Sequence, residues 1–281
     1  MIIDSHSHLA DNKLINSTEE IIKRANEIGV TKIVSIGCSL SEAKKSIDIA
    51  KRNKSVFATV GLYPHDNGDE NERELSLDDR LLQVNELVSH NLWKNKADNT
   101  RLVVAIGECG LDFTTPPPSE IKRHKKDQEY LFRKQIDIAR NFELPVIIHS
   151  REATKETIAV LRDEMDKGMF KAVWHCYTEN LETAKVLLEL GVFISFTGIL
   201  TYKNAEEIRK VAKFYPANMI MIETDAPYLV PFYKRKKGNK INEPAFVVEI
   251  LEKLADIKKM NKGALEKVIY ENTTKFYDIP A

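Results

Sequence analysis

The sequence predicts an α/β fold, a single (β/α)8 TIM-type barrel occupying residues 1–281 with an extra helix at its C-terminal end. Three observations predict it: eight short apolar runs, helical patterns between them, and a length close to the ~250 residues such a barrel takes as one domain. Strands alternating with helices pair in parallel. Runs apolar on both faces belong to a sheet covered on both sides. A doubly wound sheet shares these signs; eight evenly spaced units favour the barrel.

The first run, residues 2–4, is followed by Ser17-Thr18-Glu19-Glu20, a capping hydroxyl with early acids at the start of a helix over 19–27, which Gly29 ends. Residues 32–36 form the second strand, and Ser41-Glu42 starts a helix over 43–51. Strands over 56–60 and 102–106 follow, then a helix over 128–140 and the fifth strand at 146–148. The helix at 154–165 leads to the strand at 172–174, and the helix at 181–190, ended by Gly191, to the strand at 192–195. A helix over 205–214 precedes the eighth strand at 219–222, and helices over 244–255 and 262–277 complete the outer ring. The irregular stretches 67–76, 93–100, 114–126 and 231–242 read as loops or local insertions.

Composition narrows the function classes. At 43% hydrophobic and 30% charged, the chain has ample material for a core. Lys+Arg and Asp+Glu both number 42, so no net field draws an anionic partner and any nucleic-acid contact must be local. No apolar run approaches the ~18 residues of a membrane span. Polar residues from Asp4 onward leave no secretion signal. Cys38, Cys109 and Cys176 are scattered without CxxC spacing and read as reduced thiols, Cys109 and Cys176 as small buried residues. The expectation is a cytoplasmic protein with no membrane contact and no obligate protein partner.

In a barrel, chemistry collects where the strands end. The opening "MIIDSHSHLA" sets His6 and His8 two apart, hence on one face of a strand; read as a loose tail, they bind nothing. "FATVGLYPHD" places His65 after the third strand, "LVVAIGECGLDF" places Glu108 and Asp112 on the fourth, and "LPVIIHSRE" places His149 and Arg151 on the fifth. "KAVWHCYTE" adds His175 and "MIMIETDAPYL" adds Glu223 and Asp225. Singly, each has a plain reading: Glu108 or Asp225 can cap a turn, His149 can be a satisfied strand-end histidine, and Glu223 can support a ligand from behind or simply face the helix layer. Jointly, four imidazoles and two carboxylates at one barrel mouth describe a metal cluster.

Six ligands exceed the three that a single catalytic zinc takes, whereas two ions about 3.5–4 Å apart share such a set. Glu108 is the natural bridge. His6, His8 and Asp225 complete one site, and His149 and His175 the other. Asp225 is placed to orient a water or accept its proton. Arg151 offers a planar fork suited to phosphate, or pairs with Glu152. Imidazoles suit zinc, iron, nickel or copper, and carboxylates magnesium or manganese. Phosphodiester, amide, lactone and deamination chemistry all remain open on these residues.

The series "IDSHSHL", "GLYPHD", "GECGLDF", "PVIIHSRE", "WHCYTE", "ETDAPYLVP" and "NEPAF" resembles the TatD family of metal-dependent deoxyribonucleases, within the amidohydrolase-like barrels, over essentially the whole chain. The resemblance implies metal ligation by His6, His8, Glu108, His149, His175 and Asp225, with Glu108 and Asp225 catalytic as well. It implies two divalent ions (magnesium, zinc or manganese) and substrate contacts by His65. The implied activity is hydrolysis of DNA phosphodiesters, typically as a 3′-5′ exonuclease on single strands or frayed ends; an amide, ester or lactone hydrolase of the same barrel type is the alternative. Tyr63 stands where the family shows the first histidine of HPH. Tyr177-Thr178-Glu179 replaces its aromatic-Thr/Ser-Gly, Tyr177 being the aromatic expected at the substrate beside His65 and Arg151. The stretch "TTPPPSEIKRHKK", with Pro116–Pro118, is longer than typical.

Two basic stretches follow catalytic strands: Lys234, Arg235, Lys236, Lys237 and Lys240 beside Phe232 and Tyr233, and Lys122, Arg123, Lys125 and Lys126. Basic groups neutralise phosphates and aromatic rings stack unpaired bases, so both are expected to form a locally basic rim.

Overall fold

A computed structural model describes residues 1–95 and 100–281. The strands are β1 (Ile2–Ser7), β2 (Val30–Ser35), β3 (Val56–Val60), β4 (Trp93–Asn95), β5 (Thr100–Arg101), β6 (Val103–Asp112), β7 (Val146–Arg151), β8 (Ala172–Trp174), β9 (Phe193–Phe196) and β10 (Ile220–Ile222). The helices are α1 (Thr18–Glu27), α2 (Leu40–Arg52), α3 (Glu70–Arg73), α4 (Leu77–Asn91), α5 (Lys125–Asn141), α6 (Thr154–Lys167), α7 (Leu181–Glu189), α8 (Glu206–Phe214), α9 (Phe232–Lys236), α10 (Val247–Lys258) and α11 (Lys262–Tyr277). The eight-stranded sheet has the order β1-β2-β3-β6-β7-β8-β9-β10. Its strands follow chain order, with helices between them, and the fold is the (β/α)8 barrel that the alternation predicts. The chain divides into two compact units, Met1–Ser35 with His175–Phe276 and Pro280–Ala281, and Ile36–Trp174 with Tyr277–Ile279.

In the first unit β1 pairs in parallel with β2, and β9 with β10. The segment after β10 returns to β1: Ser7 bridges Ala226 in parallel, the His8 N–H donates to the Ala226 carbonyl (2.8 Å), and the Asp225 N–H to that of His6 (3.0 Å). The first and last strands of the order therefore meet. Ile21, Ile22 and Ala25 of α1 and Ile250, Leu251 and Leu254 of α10 are buried, which is the reason these amphipathic segments stay helical. Gly29 (φ +92°) and Gly191 (φ +70°) end helices in the left-handed region, as their positions predict. Ser17 is not the expected cap. A 3-10 turn at Ile15–Ser17 runs straight into α1, and the Thr18 hydroxyl donates back to Leu14 and Ile15 carbonyls instead.

The second unit is built on β3, β6, β7 and β8, paired in parallel in that order. All ten residues of β6 are buried. Two glutamines on the inner face of α5 satisfy backbone groups where strands end. Gln128 accepts from the Asp112 N–H (2.8 Å) and donates to its carbonyl (2.8 Å); Gln135 does the same for Leu62 (2.6 and 3.1 Å). Helix α2 is capped by Ser39, whose hydroxyl accepts from the Glu42 N–H, so it begins earlier than Ser41-Glu42 suggests.

All four stretches expected to be irregular contain structure: α3 lies in 67–76, α9 in 231–242, α5 begins at the end of 114–126, and β4 in 93–100 pairs antiparallel with β5, which runs on to Arg101, residues 96–99 lying outside the described ones. Helix α4, which the periodicity does not single out, starts at a Ser76 cap. Strands β1, β6 and β7 run further than expected, through His6, Glu108–Asp112 and His149–Arg151, because backbone pairing continues past the apolar run. Among the described residues no helix is long and apolar enough to cross a membrane.

Candidate metal centre

In the first unit, four of the sequence-predicted ligands come together. Strand β1 carries His6, with His8 just beyond it; His175 follows β8 and Asp225 follows β10. His6 Nε2 lies 3.2 Å from His8 Nε2, and Asp225 Oδ1 is 3.6 Å from the first and 3.2 Å from the second. The His6 and His175 rings stack at 4.2 Å with planes 5° apart. His175 Nδ1 is 3.4 Å from Glu223 Oε1. Two overlapping triads result, His6–His8–Asp225 and His6–His175–Glu223, each with its ligand atoms within 4.8 Å of one another.

The polypeptide around Asp225 is held from both sides. Asp225 itself sits at φ +56°, a left-handed conformation that aspartate tolerates better than most residues. The buried Asp4 carboxyl accepts from the Thr224 N–H (2.8 Å) and hydroxyl and from the His6 N–H (3.4 Å). Burial pushes the Asp4 carboxyl up to about 8 against the pull of those bonds. Asn242, fully buried, donates to the carbonyls of Thr224 (2.8 Å) and Tyr228 (2.6 Å). Burial opposes ionisation of Asp225, but the hydrogen bond from His8 and the nearby His8, His6 and His175 outweigh it and hold the carboxyl below its ordinary value.

In the second unit the bulge of β6 between Ile106 and Cys109 breaks simple alternation, and Glu108 and His149 meet: Glu108 Oε1 is 2.7 Å from His149 Nδ1. Gly110 opposes His149 in the register, and a Cβ there would lie 2.0 Å from the His149 carbonyl oxygen, so only glycine fits this close approach. His149 Nε2 faces Asp112 Oδ2 at 3.1 Å, and Asp112 Oδ1 accepts from the Thr114 N–H (2.9 Å) and hydroxyl (2.6 Å). Burial raises the Asp112 carboxyl, but the bonds from His149 and Thr114 bring it well below the usual carboxylate range. Cys38 Sγ lies 3.6 Å from Glu108 Oε2.

His65 is buried, its Nε2 3.5 Å from Asp112 Oδ1 and its Nδ1 without a hydrogen-bond partner; burial lowers its pKa and keeps the imidazole neutral. Arg151 is exposed and has no ion-pair partner among the described residues, Glu152 included. Tyr177 is buried and its hydroxyl donates to the Asn180 carbonyl (2.7 Å) at the start of α7. Cys109 is buried as expected, whereas Cys176 is only half-buried, at φ +46°.

The basic stretches divide. Arg235, Lys236, Lys237 and Lys240 are exposed beside an exposed Tyr233, while Lys234 is half-buried over the Phe246 ring, 3.7 Å from Glu249. Lys122, Lys125 and Lys126 are exposed. Arg123 departs from the expected rim: its guanidinium donates to the carbonyls of Tyr63 (2.6 Å), Pro64 (3.3 Å) and His65 (2.8 Å) and lies 3.3 Å from Asp66. The cause is the proline-rich stretch, which returns as a β-bridge between Asp66 and Ile121 and carries Arg123 under the loop after β3.

With this geometry, comparison with known proteins is decisive. The family model described as TatD related DNase matches residues 3–278. The chain belongs to the TatD family. Among curated relatives, the uncharacterised metal-dependent hydrolase YabD of Bacillus subtilis is 31% identical over 279 residues, covering 99% of this chain and all of that one. A TatD protein of Citrobacter koseri named as a 3′-5′ ssDNA/RNA exonuclease is 30% identical, covering 90% of each chain. The crystal structure of a TatD homologue from Escherichia coli superposes with a TM-score of 0.83 at 24% identity, covering 99% of this chain and 98% of that one; it shares the fold.

The donor set of this TatD-family hydrolase fits divalent ions. Imidazole nitrogens and carboxylate oxygens converge in both units, the ligand types that zinc, manganese and magnesium take. His6, His8, His175 and Asp225 in one unit and Glu108 and His149 in the other are the residues able to hold them. Sequence reasoning finds Asp112 without giving it a role, offers Glu223 as a support behind a ligand, where it lies 3.4 Å from His175, and misses Asp4 and Asn242. Asp4 stands two residues before His6, a spacing visible in the sequence; Asn242 opens the "NEPAF" motif, whose function only the fold reveals.

Proposed function

We propose that the protein is a deoxyribonuclease that cleaves DNA phosphodiester bonds from 3′ ends of single or frayed strands. The ligands assigned are His6, His8, Glu108, His149, His175 and Asp225, for two divalent ions. The observation that carries the proposal is the convergence of His6, His8 and Asp225 within 3.6 Å in a chain of this family. Bound divalent ions supply Lewis-acid activation of water and charge neutralisation at the scissile phosphate.

The chain's own groups then act as follows. Asp225, held ionised, accepts the proton of the attacking water at a carboxylate oxygen. The guanidinium of Arg151 presents a bidentate fork to a phosphate oxygen pair. His65, neutral and with Nδ1 unpartnered, orients the phosphate by hydrogen bonding. The exposed Arg235, Lys236, Lys237 and Lys240 attract the strand electrostatically.

End-labelled single- and double-stranded DNA and RNA, incubated with and without chelator, test the proposal. The expected result is chelator-sensitive shortening of DNA from the 3′ end, abolished in Asp225→Asn with binding retained. Hydrolysis of small lactones or amides without shortening of any oligonucleotide would overturn the nuclease assignment in favour of an amidohydrolase-type activity. Elemental analysis of untreated protein identifies the ions.

A further inference from the structure

The loop after β3 carries Tyr63, whose side chain enters the Glu108–His149–Asp112 group although it is neither an acid nor an imidazole. Its hydroxyl donates to Asp112 Oδ2 (3.3 Å) and lies 3.1 Å from His149 Nε2, with the two rings edge-to-face at 4.7 Å. Asp112 Oδ2 is also 3.1 Å from the same nitrogen. Three polar atoms thus form a triangle behind His149, on the side away from Glu108.

The chemistry of the triangle fixes one proton. His149 has Glu108 Oε1 at Nδ1 (2.7 Å) and Asp112 Oδ2 at Nε2 (3.1 Å); an ion held by Glu108 and His149 would take the Nδ1 lone pair and leave the ring hydrogen on Nε2, where Asp112 accepts it. The tyrosine hydroxyl, donating to Asp112, turns its own lone pair toward the Nε2–H. The backbone of Tyr63 is held at both ends, its N–H donating to the Cys38 carbonyl (2.9 Å) and its carbonyl accepting from Arg123 (2.6 Å). The ring is therefore positioned by its own unit.

We infer that Tyr63, through the Tyr63–Asp112–His149 triangle, is a positioning residue that sets the tautomer and orientation of His149 for metal binding. The inference rests on the reading of His149 as a ligand. It also gives a role to the residue standing where the family's motif shows histidine: a neutral donor that bonds Asp112 without adding charge beside the ligand.

A double-mutant cycle on metal affinity tests it. Manganese is titrated into chelator-treated wild type, Tyr63→Phe, Asp112→Asn and the double variant, and thermal unfolding is recorded for each metal-free protein. Removing a partner behind a ligating histidine costs ~10–100-fold in metal affinity. Tyr63→Phe is expected to lose about 10-fold with metal-free unfolding unchanged, and the double variant to lose no more than Asp112→Asn alone. Losses that multiply, or unaltered affinity in Tyr63→Phe, overturn the inference. His149→Ala separates this failure from that of the underlying reading: if His149→Ala binds manganese as wild type does, His149 is no ligand and both fall.

Discussion

The carboxyl group of Asp4 and Thr224 are joined through both the backbone N–H and the hydroxyl of the threonine. This links the first strand to the residue immediately before Asp225. The two residues lie 220 positions apart in sequence, both are fully buried, and the same carboxyl also accepts from the His6 N–H. One side chain therefore fixes the backbone that presents both His6 and Asp225.

Replacing Asp4 by Ala strands these buried donors at ~1–3 kcal/mol each. A loss of about 2–5 kcal/mol in urea unfolding is expected, together with loss of hydrolysis. A variant within about 1 kcal/mol of wild type would show that water replaces the carboxyl at no cost.

Asn242 makes a different prediction because it touches no candidate ligand. Its side-chain amide donates to the carbonyls of Thr224 and Tyr228, and its backbone N–H donates to the Pro227 carbonyl (3.0 Å), so the left-handed turn at Asp225 is tied down by one residue, two of the three bonds coming from its side chain. Asn242→Ala is expected to lower kcat by ~10–100-fold, since displacement of a catalytic group by about 1 Å costs that much. KM for a short oligonucleotide should stay within a few-fold. A fall confined to KM would place Asn242 in substrate binding instead.

These two residues mark where sequence reading stops. The eight strands and the six candidate ligands are legible because apolar runs and polar strand ends are local signals. Asn242 is polar in a loop and acquires meaning only when the β10 turn folds back over it. Arg123 misleads for the opposite reason: flanked by lysines, it reads as solvated charge, yet a proline-rich return buries it against three carbonyls. The apolar run understates the length of β6 because glycines and acids interrupt it while backbone pairing continues to Asp112. Charge in a sequence does not say which cation has a buried acceptor.

Arg123 and its neighbours should accordingly separate in experiment. Neutralising Lys236, Lys237 and Lys240 together is expected to weaken single-stranded DNA binding and to reduce the salt slope by up to ~0.7 for each phosphate no longer neutralised, with stability unchanged. Arg123→Gln should instead destabilise the fold by about 2–4 kcal/mol, because three carbonyls lose their donor and Asp66 keeps only Arg80 of its two arginines. Filter binding across a salt series and urea unfolding measure the two effects. Arg123→Gln that unfolds as wild type does but binds DNA weakly would return Arg123 to the basic rim.

Glu164 supplies a pH prediction remote from the candidate ligands. Its side chain is 2% exposed, and Lys167, Arg140 and Arg133 reach it at 2.7–2.8 Å, the two arginines from α5 and the acid on α6. Burial alone would raise the carboxyl; the three cationic hydrogen bonds outweigh it and bring it down from 4.5 to about 2. A carboxyl that is more acidic folded than unfolded stabilises the fold above its unfolded value and loses that contribution as pH falls toward the folded one. The size of the displacement corresponds to roughly 3 kcal/mol. Urea midpoints of wild type and Glu164→Gln should therefore differ most above about pH 5 and converge as pH falls from there toward 2. A difference that stays constant over that range would mean that the ion cluster joins α5 and α6 by packing and neutral hydrogen bonds, with the charge of Glu164 contributing nothing.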